Sequence, residues 1–354
     1  MAKIAILGDT HLGARNDSVL FHSFYKKFYS EVFFPYLLEN GIETIIQAGD
    51  LFDKKKNVNF QTLSLANEYF FDPIREYNLH LIVPVGNHDT FFKASNDINA
   101  PGLLLKNYPN ALVYSKPVEV KIDGAKFLLL PWICRENEAE SLELIRSTNA
   151  LYAVGHLEIE GFSMYKGGRP CDHGLKMSEL SKFDHVFSGH YHHRSKKGSV
   201  QYLGTPYELT WADYDDQKGF TVLDTITGEI EFVKNPFSIF HKIEYDDEGK
   251  TLEDITEIPY EKYEDTFVKV VVSSKTNPYA LDVLVSNLEK VAEDVKLIQN
   301  VLALELNEEE LLEVEATEEI LKQVVQDTET SVPKEKLDKL LNELYIEAKS
   351  LESA

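Results

Sequence analysis

Asp9-Thr10-His11 places a carboxylate and an imidazole two residues apart, which on an extended segment turns both to the same side. Residues of the same kind recur at four more points: Asp50 after Gly49, Asn87-His88-Asp89 after Gly86, His156 after Gly155, and His190 with His192 after Gly189. Carboxylate, amide and imidazole donors with no cysteine among them suit Mn(II) or Fe(II), and leave Mg(II) and Zn(II) open. Each motif taken alone reads equally well as a polar turn. The ordered set is different, because every member sits where an apolar run ends. Together Asp9, His11, Asp50, Asn87, His156, His190 and His192 suit two divalent ions that share Asp50 as a bridge. Such a pair orients a phosphate ester, lowers the pKa of a water and neutralises charge on the attacking and leaving oxygens. His88, which can titrate near neutral pH, is the member suited to proton transfer, with Asp89 beside it to hold the protonated form.

These side chains need rigid elements behind them. The run Ile45-Ile46-Gln47-Ala48 reads as a buried strand ending at a sharp turn, so that Asp50 projects from the carboxyl edge of a sheet. A charge there is costly to bury unless it is paired or ligates a metal. Strands are likewise expected before Gly8, over Leu79–Val85, Leu151–Gly155 and His185–Phe187, each delivering one motif. Residues 18–40 and Asn59–Tyr77 have helical spacing. The stripe Leu20, Phe21, Phe24, Tyr25, Phe28, Val32 and Phe33 covers a sheet and is broad enough to serve a homodimer as well. Val118–Ile122 and Ala125–Leu130, joined by Asp123-Gly124, read as a hairpin. Helices are expected over Glu136–Ser147 and Leu175–Lys182, and further strands over Val200–Leu203, Gly219–Leu223 and Glu229–Val233. His22, His80, His173, His185 and His241 read as structural or solvated.

No apolar stretch approaches the ~20 residues of a membrane span. The first residues read as a strand and not a signal peptide, and two cysteines, Cys134 and Cys171, form no disulfide framework, which fits a reducing cytoplasm. A net charge of −23 argues against nucleic acid, but its distribution matters more. Residues 1–234 carry 24 Lys and Arg against 30 Asp and Glu, whereas residues 235–354 carry 12 against 29, so the N-terminal part can still present a basic path. Arg15, Lys54, Lys55, Lys166, Arg169 and Arg194 are its candidates for DNA contact. The expected division is a site-bearing domain over 1–234, a small α/β capping domain over 235–304, and an acidic linker with a helix pair over 305–354.

The ordered set resembles the calcineurin-type metallophosphoesterases. Within them it is most similar to the SbcD-type DNA repair nucleases, in particular their short phage form, the recombination nuclease subunit of T4-like phages. Gly49-Asp50-Leu51-Phe52-Asp53, Pro131-Trp132, the loop Gly161–Gly174 with Tyr165-Lys166-Gly167, and Tyr202-Leu203-Gly204-Thr205-Pro206 carry the narrower likeness. One difference is Asp53, where some members have a histidine near the metals. The resemblance implies a two-sheet mixed β-sandwich flanked by helices. It puts Asp9, His11, Asp50 and His192 on one ion and Asp50, Asn87, His156 and His190 on the other, with His88 working on the leaving oxygen. It further implies Mn-dependent DNA hydrolysis in recombination and repair, exonucleolytic on duplex ends and endonucleolytic on single strands. The implied setting is a dimer bound through its C-terminal helices to an SMC-like, ABC-type ATPase, in the host cytoplasm if the protein is a phage one. The alternatives are a phosphomonoesterase or protein phosphatase on the same metal core, and a non-catalytic adaptor.

Overall fold

The structure, a computed structural model, describes residues 3–298. Two six-stranded mixed sheets form the first unit, Met1–Phe240. One runs in the order Ile230–Lys234, Gly219–Asp224, Lys3–Leu7, Thr44–Gln47, His80–Pro84, Ala111–Tyr114, and its last four strands are parallel. The other runs Ser195–Lys197, Val200–Tyr202, His185–Gly189, Tyr152–His156, Ala125–Leu130, Val118–Ile122, with its four middle strands parallel. Alternate residues of the two facing surfaces share one core: Ile4, Ile6, Ile46 and Ile82 meet Phe127, Leu129, Tyr152, Val154 and Phe187. Full burial of such a side chain contributes about 1.5–3 kcal/mol, which fixes the register of strands that carry the motifs.

The outer faces are covered by helices. The second sheet lays Leu128, Leu130, Ala153 and Val186 against Ile145 of the helix Glu138–Ser147. The first helix expected from sequence is three pieces: Val19–Phe28, a π-helical turn Tyr29–Phe33, and Phe34–Glu39. The second has the same form, Phe60–Ala66, Asn67–Phe71 and Asp72–Glu76. In each, a proline follows the widened turn, Pro35 or Pro73. Proline has no N–H for the carbonyl four residues back and its ring presses on that carbonyl, so the preceding turn opens to an i→i+5 bond. Phe34 N–H accordingly donates to Tyr29 O, and Asp72 N–H to Asn67 O. Phe21, Tyr25, Phe28 and Phe33 are buried, with Tyr25 stacked at 3.9 Å on Tyr207. These four are core, while Leu20, Phe24 and Val32 of the same stripe are half-buried.

The hairpin pairs Ile122 with Ala125, and both Asp123 (φ 47°) and Gly124 (φ 88°) take the left-handed conformation such a turn needs. The expected helix at Leu175–Lys182 shrinks to Met177–Leu180. Sequence character changes at Asn235, yet the backbone stays tied to the first unit through Phe240. Asn235 N–H donates to Lys218 O at 2.8 Å, and Ile239 and Phe240 N–H donate to the Glu208 carboxylate at 2.8 and 3.0 Å. The second unit, described to residue 298, has the sheet Phe240–Asp246, Phe267–Ser274, Asp294–Ile298 and the helix Pro278–Leu288. Val268, Val270, Leu281, Leu284 and Leu288 are its core. The expected C-terminal helix pair lies outside the described residues.

Candidate metal centre

The carboxyl ends of the parallel strands in both sheets meet at one edge, and all seven ligand candidates are there. Asp9 follows Lys3–Leu7 and is fully buried, and both its oxygens accept the His190 N–H, at 3.0 and 2.9 Å. Asp50 Oδ2 lies 3.7 Å from His11 Nε2 and 3.3 Å from His156 Nε2, so one oxygen faces both sides of the cluster. Its Oδ1 accepts the His88 N–H at 2.7 Å. Asn87 Oδ1 sits 2.9 Å from His156 Nε2 and 3.1 Å from His190 Nδ1. His11 Nε2 and His192 Nε2 are 3.1 Å apart, and His192 Nε2 is 3.7 Å from Asp9 Oδ2. His11 (φ 40°), Asp50 (φ 52°) and His190 (φ 85°) all hold left-handed backbone, the kind of local strain that persists where the surroundings over-determine it. Gly49 is needed for closeness: a Cβ there would fall 2.6 Å from His156 Nδ1.

Two triads of donor atoms, Asp9/His11/His192 and Asp9/Asp50/His156, each lie within 4.8 Å of one another. Imidazole nitrogens aimed at each other across buried carboxylates fit divalent cations, because neither donor type is otherwise cheap to bury. The residues present fit two ions. Asp9, His11, Asp50 and His192 would hold one, and Asp50, Asn87, His156 and His190 the other.

His88 and Asp89 do not pair. His88 Nδ1–H donates to the Asp53 main-chain oxygen at 2.6 Å, leaving Nε2 as the ring atom that can exchange a proton. Asp89 instead accepts from Leu51 and Phe52 N–H (3.0 and 3.1 Å) and from Gly86 N–H (2.8 Å). It ties the Asp50 loop to the Asn87 loop, so it does not hold the His88 ring as its adjacency suggested. The reason is the turn: the backbone reverses at Asn87–Asp89, so sequence neighbours diverge.

Further side chains outside the seven ligands and His88 surround the cluster. The Asp53 carboxylate is 3.2 Å from His11 Nδ1. Glu158 Oε1 is 3.9 Å from His190 Nε2, and the Trp132 ring is 5.0 Å from the His190 ring. Glu158 was findable, being two residues beyond His156 on an extended segment. Buried Lys218, paired with Asp213 at 2.6 Å, donates to His192 O at 2.9 Å. Of the basic candidates, Lys54 is paired with Asp17 at 2.7 Å and Lys166 with Asp215 at 3.0 Å. Arg15, Lys55 and Arg169 are exposed. The half-buried Arg194 guanidinium lies 3.9 Å over the Phe232 ring and donates to Thr221 Oγ1 at 2.9 Å.

A model of the calcineurin-like phosphoesterases matches residues 2–194. The chain belongs to the calcineurin-like phosphoesterase family. It is 34% identical over 349 residues to exonuclease subunit 1 of Enterobacteria phage T4, covering 98% of this chain and 99% of that protein. Among solved structures, it resembles an archaeal phosphodiesterase at 15% identity and a TM-score of 0.33, over 66% of this chain and 99% of that one. A hypothetical protein of Thermus thermophilus gives 13% and 0.34, over 66% and 100%.

The electrostatics of this phosphoesterase site suit a metal-binding cluster. Burial would raise the Asp50 carboxyl, but His156, then His88 and His11, outweigh it and hold it well below the ordinary range. Burial works against protonated His156 and His11 too. It is overcome by Asp50 and Asp9 at His156 and by Asp53 and Asp50 at His11, lifting each to about 9. Burial, then His11, pushes His192 down to about 3. Burial with the Asp50 charge lifts Asp89 to about 7. Protons therefore compete with metal at His11 and His156. Both rings are protonated below about pH 9 in the metal-free site and must be neutral to ligate, so metal binding releases protons and tightens as pH rises towards about 9. Calorimetric Mn(II) titrations at pH 7.5 in two buffers of different ionisation enthalpy should differ in apparent heat. Identical heats would show that these rings are already neutral.

Proposed function

We propose that this phosphoesterase is a DNA nuclease subunit that hydrolyses phosphodiester bonds with two divalent ions, Mn(II) foremost, at duplex ends and within single strands. The observation that carries the reading is likeness from end to end, 34% identity over 98% of the chain, to a protein named as an exonuclease subunit. When bound, the ions supply positive charge for the phosphate oxygens and a water of lowered pKa. The chain's own part is to hold and orient. Asp9, Asp50 and the imidazoles fix the ions, Asp89 locks the two loops that present them, and the Asp53 main-chain oxygen fixes the His88 ring. Burial lowers the His88 pKa, against the pull of Asp50. Nε2 is the ring atom through which it would pass a proton to the leaving oxygen.

End-labelled duplex and single-stranded DNA, with Mn(II) or Mg(II), beside nitrophenyl phosphate, tests the reading. DNA cleavage with little nitrophenyl phosphate turnover is expected. The reverse pattern identifies a phosphomonoesterase, and metal loading with neither activity identifies a non-catalytic adaptor.

The proposal includes a homodimer and an SMC-like ABC-type ATPase partner, with action in the cytoplasm. Apolar surface for a second copy is offered by the half-buried Leu20, Phe24 and Val32 of the first-helix stripe, and by Phe60 and Leu103, which are 88% and 67% exposed. The ATPase is assigned to the helix pair expected from sequence over residues 311–325 and 333–351, where the spacing of Leu337, Leu340, Leu341, Leu344, Tyr345, Ala348 and Leu351 predicts one apolar face. Ending the chain at Leu306 should leave Mn-dependent cleavage of single strands intact and abolish its stimulation by ATP in the complex. A truncated chain that co-purifies with the ATPase at full affinity places the contact on the nuclease domain.

A further inference from the structure

We infer that Glu158, Cys171 and His173 form a further cation site, separate from the seven-ligand cluster, for a borderline divalent ion of the Zn(II) class. The three are brought together by a loop closed on itself, not by adjacency. Leu175 N–H donates to Glu158 O at 2.8 Å and Glu160 N–H to Leu175 O at 3.0 Å. Further along, Cys171 N–H donates to Phe162 O at 2.7 Å and Gly161 N–H to Cys171 O at 2.8 Å. Gly174 (φ 95°) is where the chain crosses Glu158: a Cβ there would fall 2.5 Å from the Glu158 carbonyl oxygen. These main-chain bonds set Cys171 and His173 over the Glu158 carboxylate.

Cys171 Sγ lies 3.2 Å from His173 Nδ1 and 3.5 Å from Nε2, Nε2 is 3.1 Å from Glu158 Oε1, and one donor atom of each residue lies within 4.8 Å of the others. The other ring nitrogen, Nδ1, lies 3.2 Å from Asp172 Oδ1, the carboxylate–histidine arrangement that fixes the tautomer of a metal-binding imidazole. A thiolate separates this site chemically from the main cluster, which has only oxygen and nitrogen donors. Soft sulfur draws Zn(II), whereas Mn(II) favours the harder set. The His173 side chain is 67% exposed, so an ion enters from solvent and keeps water as its fourth ligand. Glu158 Oε1 also stands 3.9 Å from His190 Nε2, so the site shares one carboxylate with the edge of the main cluster.

Co(II) is the probe, because a thiolate-to-cobalt band in the near ultraviolet reports a cysteine ligand and cannot arise from the main cluster. Titrated into the reduced, full-length, Mn(II)-loaded protein, Co(II) should produce the band with saturation at one equivalent per chain. An equivalent of Zn(II) should bleach it. Cys171→Ser should abolish the band, His173→Ala should weaken Co(II) binding at least tenfold, and Cys134→Ser should leave it unchanged. Thermal melts confirm that each variant is folded, including Cys134→Ser at a buried position. Bound Co(II) with no band, a band that survives Cys171→Ser, or saturation at half an equivalent, which means two chains sharing one ion, would each overturn the inference.

Discussion

Asp50→Ala should lose both metal ions, not one. Asp50 Oδ2 is the oxygen within 3.7 Å of His11 and 3.3 Å of His156, so its removal takes the negative charge from between the two halves of the cluster. It also strips the charge that offsets the burial of both imidazoles. The loss of several kcal/mol of transition-state stabilisation corresponds to ~10³-fold or more in rate. Asp50 holds φ 52°, where a Cβ without a hydrogen-bonding tip costs about 1–2 kcal/mol, so Ala adds backbone strain to the effect. Asp50→Asn keeps the shape and tolerates that backbone, and isolates the charge. Elemental analysis of the folded variants decides the matter: two ions retained in either would remove Asp50 from the bridging role.

His88→Gln should separate chemistry from binding. The ring is held by its Nδ1–H bond to the Asp53 main-chain oxygen, while the ligand-positioning contact at this residue is the main-chain N–H to Asp50 Oδ1. Substitution keeps that main-chain bond, so metal content and DNA affinity should stay near normal while cleavage falls by ~10²–10⁴-fold, the usual contribution of a positioned acid or base. Loss of metal from His88→Gln would make the residue a ligand. Cleavage at the normal rate would move the proton transfer to another group.

Asp89 shows where reading from sequence goes astray. Its adjacency to His88 suggested a pair, yet it faces the N–H groups of Gly86, Leu51 and Phe52, and the backbone oxygen of Asp53 takes its place at the imidazole.

The sequence by itself determined the donor types, the strand that presents each, and the turn chemistry at Gly49 and at Asp123-Gly124. All of these follow from short continuous apolar runs bounded by turn residues and from local backbone rules that reach only a few residues. Tertiary structure decided which atoms face which. Asp9 meets the N–H of His190 across 181 positions, and Asn87 meets His156 across 69, because two sheets pack with their carboxyl edges together. The Glu158–Cys171–His173 cluster likewise exists only because a loop closes on its own base. Local periodicity sets the direction of a side chain, whereas its partner depends on sheet order, register and loop closure, which are properties of the whole packed core.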